Sequence, residues 1–163
     1  MQVGSDNLTF DAGTSTIEFT GSYNGGLYAF GSTPLTFNVI IYACPRGSLF
    51  QNLNTTPGTS IFAADSVLFY NSGYIGGDNT VNYCYLAPGR TFEFSDNSTQ
   101  TITELVANGD CAEGYTSLLS SFPNQRAFIS LPTGQVFDRL FLQDMEVTGG
   151  IPVAATVPYT PLR

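Results

Sequence analysis

The run from Phe137 to Val147, FDRLFLQDMEV, sets three carboxylates close together: Asp138, Asp144 and Glu146. On one extended strand they would share a face, because strand side chains alternate with a period of two. Two carboxylates held ~5–9 Å apart are the machinery of glycoside hydrolysis. The competing reading is a solvated surface, with Asp138 neutralised by the adjacent Arg139. Acid–base catalysis also needs burial to tune a carboxyl group, and nothing in the sequence indicates it. The surface reading is preferred, and the chain is expected not to be an enzyme.

The other reactive side chains narrow the choice further. Histidine is absent, which removes the Ser-His-Asp triad, the Cys-His pair and imidazole metal ligation. Asp78 in GGDN and Asp96 in SDN sit in oxygen-rich loops of the kind that bind Ca²⁺. Neither has the spaced acids of a calcium loop, so Asx turns explain both, and no metal or cofactor is expected. Cys44, Cys84 and Cys111 are too scattered for a zinc motif. A Cys84–Cys111 or Cys44–Cys84 disulfide stands beside the alternative of buried thiols. Asn7, Asn54 and Asn97 head Asn-X-Ser/Thr triplets, which matter only in a eukaryotic secretory pathway or a virus of one.

Nine tyrosines and 13 phenylalanines admit two arrangements. Tyr23, Tyr28, Tyr70, Tyr74, Tyr83 and Tyr85 lie near turns or edges, where they would form a strip that stacks on sugar rings. Aromatic stacks inside the core would give the same composition, and that reading is preferred.

The elements that must position these residues are short strands. In a chain of 163 residues, 42% hydrophobic and 11% charged, a single sizeable core is expected and disorder is not. The basic residues are five arginines, and with 13 acids the net charge is −8. That balance excludes phosphate-binding surfaces for nucleic acid and attraction to anionic membranes. No apolar run is long enough to cross a membrane, and MQVGSDN is no signal peptide. A secreted composition without an export signal leads us to expect a module of a longer chain.

Ile17 and Phe19 alternate with Thr16, Glu18 and Thr20, as in a half-buried strand. Thr36–Ala43 is apolar nearly throughout, which predicts a strand covered on both faces. Asn24-Gly25, Asn71-Ser72-Gly73 and YIGGDN read as turns. Phe92 and Phe94 face one way, and Ala127, Ile129 and Leu131 alternate with Phe128 and Ser130. Leu140 and Leu142 do the same around Phe141. Ile102 and Leu105 cannot share a face of a flat strand, so a bend is expected at Thr103-Glu104. Residues 1–150 form one all-β domain on this reading. Residues 151–163, with three of the nine prolines, form an extended tail or linker.

Two all-β architectures fit: a right-handed parallel β-helix, or an antiparallel β-sandwich of jelly-roll or Ig-like type. A resemblance favours the first. FDAGTSTIEFTGS, then APGRTFEFSDNSTQTITELVANGDC, TSLLSSFPNQRAFISLPTG and FDRLFLQDMEVTGG resemble coil segments of large secreted adhesin-like surface proteins of Bacteroidetes-type bacteria. The likeness covers residues 6–21 and 88–150. Residues 35–86 depart from it, as do Arg126, Phe128 and Asp138, which stand where small or polar residues are more usual.

The resemblance implies a β-solenoid and a non-catalytic structural module of an extracellular or cell-surface protein, serving adhesion or filament building. It implies partners in other surface proteins, or in further copies joined through the solenoid ends, and it supplies no catalytic residue. The alternatives are a carbohydrate-binding β-domain with glycan partners, a polysaccharide-active enzyme, and a viral or phage surface protein.

Overall fold

Inward apolar side chains alternate with outward, mostly polar ones along much of the described strands, and residues of the same kind stack from one strand to the next. A computed structural model describes residues 2–4, 12–30, 35–51, 62–149 and 154–156. Among these residues there are sixteen β-strands and no helix. One seven-stranded sheet, sheet A, contains β1 (Gln2–Gly4), β3 (Gly25–Phe30), β5 (Arg46–Gln51), β7 (Ser72–Ile75), β9 (Thr91–Phe94), β11 (Thr116–Ser120) and β14 (Leu140–Gln143), in that order. The second, sheet B, contains β2 (Thr16–Phe19), β4 (Leu35–Tyr42), β6 (Phe62–Phe69), β8 (Asn79–Leu86), β10 (Thr99–Val106), β12 (Ala127–Ser130) and β15 (Met145–Thr148). A small third sheet joins β13 (Val136–Asp138) to β16 (Ala154–Thr156).

The chain alternates between sheets A and B, placing one strand in each per coil, and every strand pairing is parallel. This is a parallel β-solenoid. The antiparallel sandwich is excluded, since the one antiparallel contact among the described residues is an isolated bridge between Asp110 and Gly114. Coil length varies: Ser66 stacks beside Tyr83, whereas Gln100 stacks beside Ile129. That variation hides the repeat in the sequence.

The core is built from columns. Ile17, Ile40, Val67, Cys84 and Leu105 follow one another through sheet B. Beside them Phe19, Tyr42 and Phe69 form an aromatic stack, with ring centroids 5.0 Å and then 4.5 Å apart. The facing column of sheet A is Gly25, Gly47 and Gly73, then Phe92. Each glycine leaves room for a ring: a Cβ on Gly47 would lie 2.5 Å from Tyr42 Cγ, and one on Gly73 would lie 2.6 Å from Phe69 Cδ1. Where Phe92 ends the glycine column, the sheet B column changes to Leu86, and Phe92 meets Phe69 edge-on at 5.9 Å. Large faces small along the stack, as dense packing requires. Gly25 and Gly73 are therefore core strand residues and not the turns expected from Asn24-Gly25 and Asn71-Ser72-Gly73. Tyr74 and Ile75 likewise belong to β7.

The bend expected at Thr103-Glu104 is present: Ile102 and Leu105 are buried on either side of two exposed residues. The same slip recurs at Asn38-Val39, Asp65-Ser66 and Asn82-Tyr83, and the register omits one pair at each of these crossings. Four stacked strands thus bend at one place. The slip also revises the reading of Thr36–Ala43, because Val39 and Ile41 point outward and stay half-exposed. At the end of β15, Gly149 (φ 135) turns the chain where a Cβ would fall on the Leu131 carbonyl oxygen. The expected tail rejoins the body at β16, beside β13.

Candidate ligand-binding face

The three carboxylates do not converge. Arg139 (φ 53) and Asp144 (φ 54) adopt left-handed backbone, which cuts the apparent single strand into β13, β14 and β15. Asp138 lies on β13 in the small sheet, 4.0 Å from the Arg139 guanidinium. Asp144 sits in a corner, where its Oδ2 accepts the Asn124 N–H at 3.1 Å. Glu146, on β15, pairs with Arg126 at 2.5 Å. The expectation that they share one face is corrected, because two left-handed residues reset the alternation between them.

Asp78 and Asp96 serve as corner acceptors. Asp78 Oδ1 accepts the Thr99 N–H at 2.7 Å, while Asp96 accepts from the Ser121 hydroxyl at 3.0 Å and from Asn97 Nδ2 at 2.9 Å. No group of three or more metal-ligating side chains occurs among the described residues. Beneath this corner lies a pair that the sequence reading missed. Asn79 Nδ2 donates to Gln100 Oε1 at 2.7 Å and to the Gly76 carbonyl at 3.1 Å. Gln100 Nε2 in turn reaches the Gly77 carbonyl. Both side chains are buried, and they satisfy turn carbonyls that would otherwise face an apolar interior.

All three cysteines are free thiols, so neither the Cys84–Cys111 nor the Cys44–Cys84 bridge forms. Cys84 points inward between Val67 and Leu105. Cys111 is exposed in the turn that closes at Gly114, and Cys44 accepts the Gly25 N–H at 3.2 Å. The three occupy different coils, with Cys44 and Cys84 buried and Cys111 exposed. Burial pushes the Cys84 thiol up to about 12, which leaves it inert at neutral pH. Burial likewise raises the Tyr42 phenol above its ordinary range, and its hydroxyl donates to the Ser48 carbonyl at 3.0 Å.

The tyrosines divide. Tyr42 is wholly internal, as the core-stack reading expected of aromatics. Tyr23 stands in the turn before β3 at 85% exposure, Tyr28 lies half-buried on β3, and Tyr74 points outward from sheet A between Ser48 and Glu93. Tyr83 and Tyr85 point outward from sheet B, on β8. The tyrosines therefore form no single strip. What the fold does gather is Tyr70 and Tyr85, with ring centroids 5.7 Å apart and planes tilted by 55°, and Tyr83 one position along the same face. Ile41 and Leu68 continue the column of Tyr85, and Val39 and Ser66 that of Tyr83.

Across the bend from these rings runs a groove of about 410 Å³, with Thr36, Asn38, Ala63, Asp65, Thr80 and Asn82 among its lining residues. Among the described residues that line it, Asp65 is the only charged side chain. Its Oδ1 accepts from Asn82 Nδ2 at 3.1 Å and its Oδ2 from the Ser66 hydroxyl at 3.2 Å. The four described arginines are all engaged elsewhere, with Glu93, Glu113, Glu146 and Asp138. The face is consequently acidic to neutral, polar on one side of the bend and aromatic on the other.

No protein-family model matches this chain, and neither a curated protein nor a solved structure matches it.

Proposed function

We propose that the chain is a non-catalytic structural module of an extracellular, bacterial-type surface protein, and that it projects and stiffens in adhesion or in a filament. The observation that supports this reading most is the tying of the acids into the scaffold. Every carboxylate once considered for catalysis accepts a turn N–H or pairs with a neighbouring arginine. What is left is a stack of coils with a continuous core, which holds its outer faces in a fixed geometry. Solenoid ends are natural places for further coils or further copies to join, since strand edges template pairing.

The test is surface labelling of the producing cells with antibodies raised against the chain. Intact cells should stain as strongly as permeabilised ones. Staining that appears only after permeabilisation contradicts the proposal. Sedimentation of the isolated chain at high concentration tests the filament extension, and monomer alone would remove it.

A further inference from the structure

We infer that the bent outer face of sheet B binds an extended chain of neutral sugars, laid across Tyr85 and Tyr83 with its hydroxyls directed to Asp65 and Asn82. The inference is independent of where the chain is displayed, since it rests only on the chemistry of this face.

Four properties of the face point to a saccharide. The first is the pairing of functional groups. A pyranose presents an apolar C–H face and a rim of hydroxyls, so it needs an aromatic platform beside polar groups that donate and accept. The bend supplies both from adjacent positions on one strand, with Asn82 on the polar side and Tyr83 on the aromatic side. Asp65 uses one hydrogen bond on each carboxylate oxygen within the protein. An ionised carboxylate has about four acceptor positions, so it can still take sugar hydroxyls.

The second property is charge. Asp65 and Glu104, the latter stacked beside Tyr83, flank the tyrosines, and the described arginines pair elsewhere. Phosphate, sulfate and uronate groups would be repelled at such a face, which commits the proposal to neutral sugars.

The third is spacing. Parallel strands repeat every ~4.8 Å, so Asp65 on β6 and Asn82 on β8, on neighbouring coils, stand at an interval comparable to one sugar unit of an extended glycan. The fourth is rigidity. These side chains stand on strands paired on both edges, so binding orders little of the protein and loses little entropy.

The experiment is native affinity electrophoresis of the whole chain through gels containing xyloglucan, galactomannan, mixed-linkage β-glucan or amylopectin, with polygalacturonate as the charged control. At least one neutral polymer should retard the chain, and polygalacturonate should not. Tyr85→Ala and Asp65→Ala should each weaken retardation at least ten-fold. Tyr85→Phe, which keeps the ring, should retain it, and Tyr115→Ala, just before β11 of sheet A, should leave it unchanged. Far-UV circular dichroism of each variant separates loss of binding from loss of fold. Absence of retardation by all four neutral polymers overturns the inference. So does retardation that survives both alanine substitutions in folded protein, or a preference for polygalacturonate.

Discussion

Replacing Gly47 by alanine tests the packing that holds the coils together. A Cβ at this position would stand 2.5 Å from Tyr42 Cγ and 2.7 Å from Phe69 Cε1. Carbon atoms in good contact are ~3.5–4.0 Å apart, so the rings would have to withdraw by roughly an ångström. Tyr42 is stacked on Phe19 at 5.0 Å and on Phe69 at 4.5 Å, and it can move only by disturbing both. Overpacking of this kind costs ~1–3 kcal/mol. Alanine regains ~0.5–1 kcal/mol over glycine inside a strand. A contact as short as 2.5 Å puts the overpacking at the upper end, ~2–3 kcal/mol, so the net loss is about 1–2.5 kcal/mol, a fall of roughly 0.5–1.2 M in the urea midpoint at a slope of ~2 kcal/mol per molar. The assay is urea unfolding followed by far-UV circular dichroism, with tyrosine emission as a second probe because the chain has no tryptophan. Gly47→Ala combined with Tyr42→Leu should be less unstable than the sum of the two, by at least ~0.5 kcal/mol. A Gly47→Ala protein as stable as the parent, or strict additivity with Tyr42→Leu, would refute the reasoning.

Three further predictions concern the Gln135 contact beside β10 and the thiols. Gln135 takes the place of a strand beside β10: its Oε1 accepts the Leu105 N–H at 3.0 Å, and its Nε2 donates to the Thr103 carbonyl at 3.0 Å. Gln135→Ala should cost ~1–3 kcal/mol and speed hydrogen exchange at the Leu105 amide, and unchanged exchange there would contradict this role. At pH 8 a thiol reagent should modify Cys111 quickly and reach Cys44 and Cys84 only on unfolding. Because the fold pushes Cys84 from 9.0 up to about 12, the unfolded chain ionises first. Its contribution is whole below pH ~8.5–9 and then falls by about 1.4 kcal/mol per pH unit as pH rises toward 12. Cys84→Ala should flatten the loss of stability between pH 9 and 11, and an unaltered slope would contradict it.

Much of the architecture is legible in the sequence wherever the signal is local. Ile17 and Phe19, Phe92 and Phe94, and Ala127, Ile129 and Leu131 announce strands by alternation alone. The two outward residues between Ile102 and Leu105 announce a bend. Gly25 and Gly73 misled because a glycine's local signature is a turn, and only the ring of the facing strand explains a glycine within a strand. FDRLFLQDMEV misled for a related reason. Arg139 and Asp144 are unremarkable in sequence, yet their left-handed backbone divides one strand into three and scatters the carboxylates. The tyrosine face could not be read from spacing, because Tyr70 and Tyr85 meet only through the stacking of one coil on the next. The uneven coil lengths masked the period that would have placed them.

The account stands on that stack of parallel coils, and site-directed spin labelling tests it most directly. Thr36, Thr80 and Thr101 lie in one outward column, Thr80 beside Thr101 in register and Thr36 two coils before Thr80. With Cys111→Ser in place, the buried Cys44 and Cys84 thiols remain unlabelled, and pairs of nitroxides can be placed at these threonines. The account predicts strong dipolar broadening for the Thr80/Thr101 pair. It also predicts a separation longer by two rungs, roughly 10 Å, for Thr36/Thr101. Absence of broadening between Thr80 and Thr101, or equal separations for the two pairs, would contradict it.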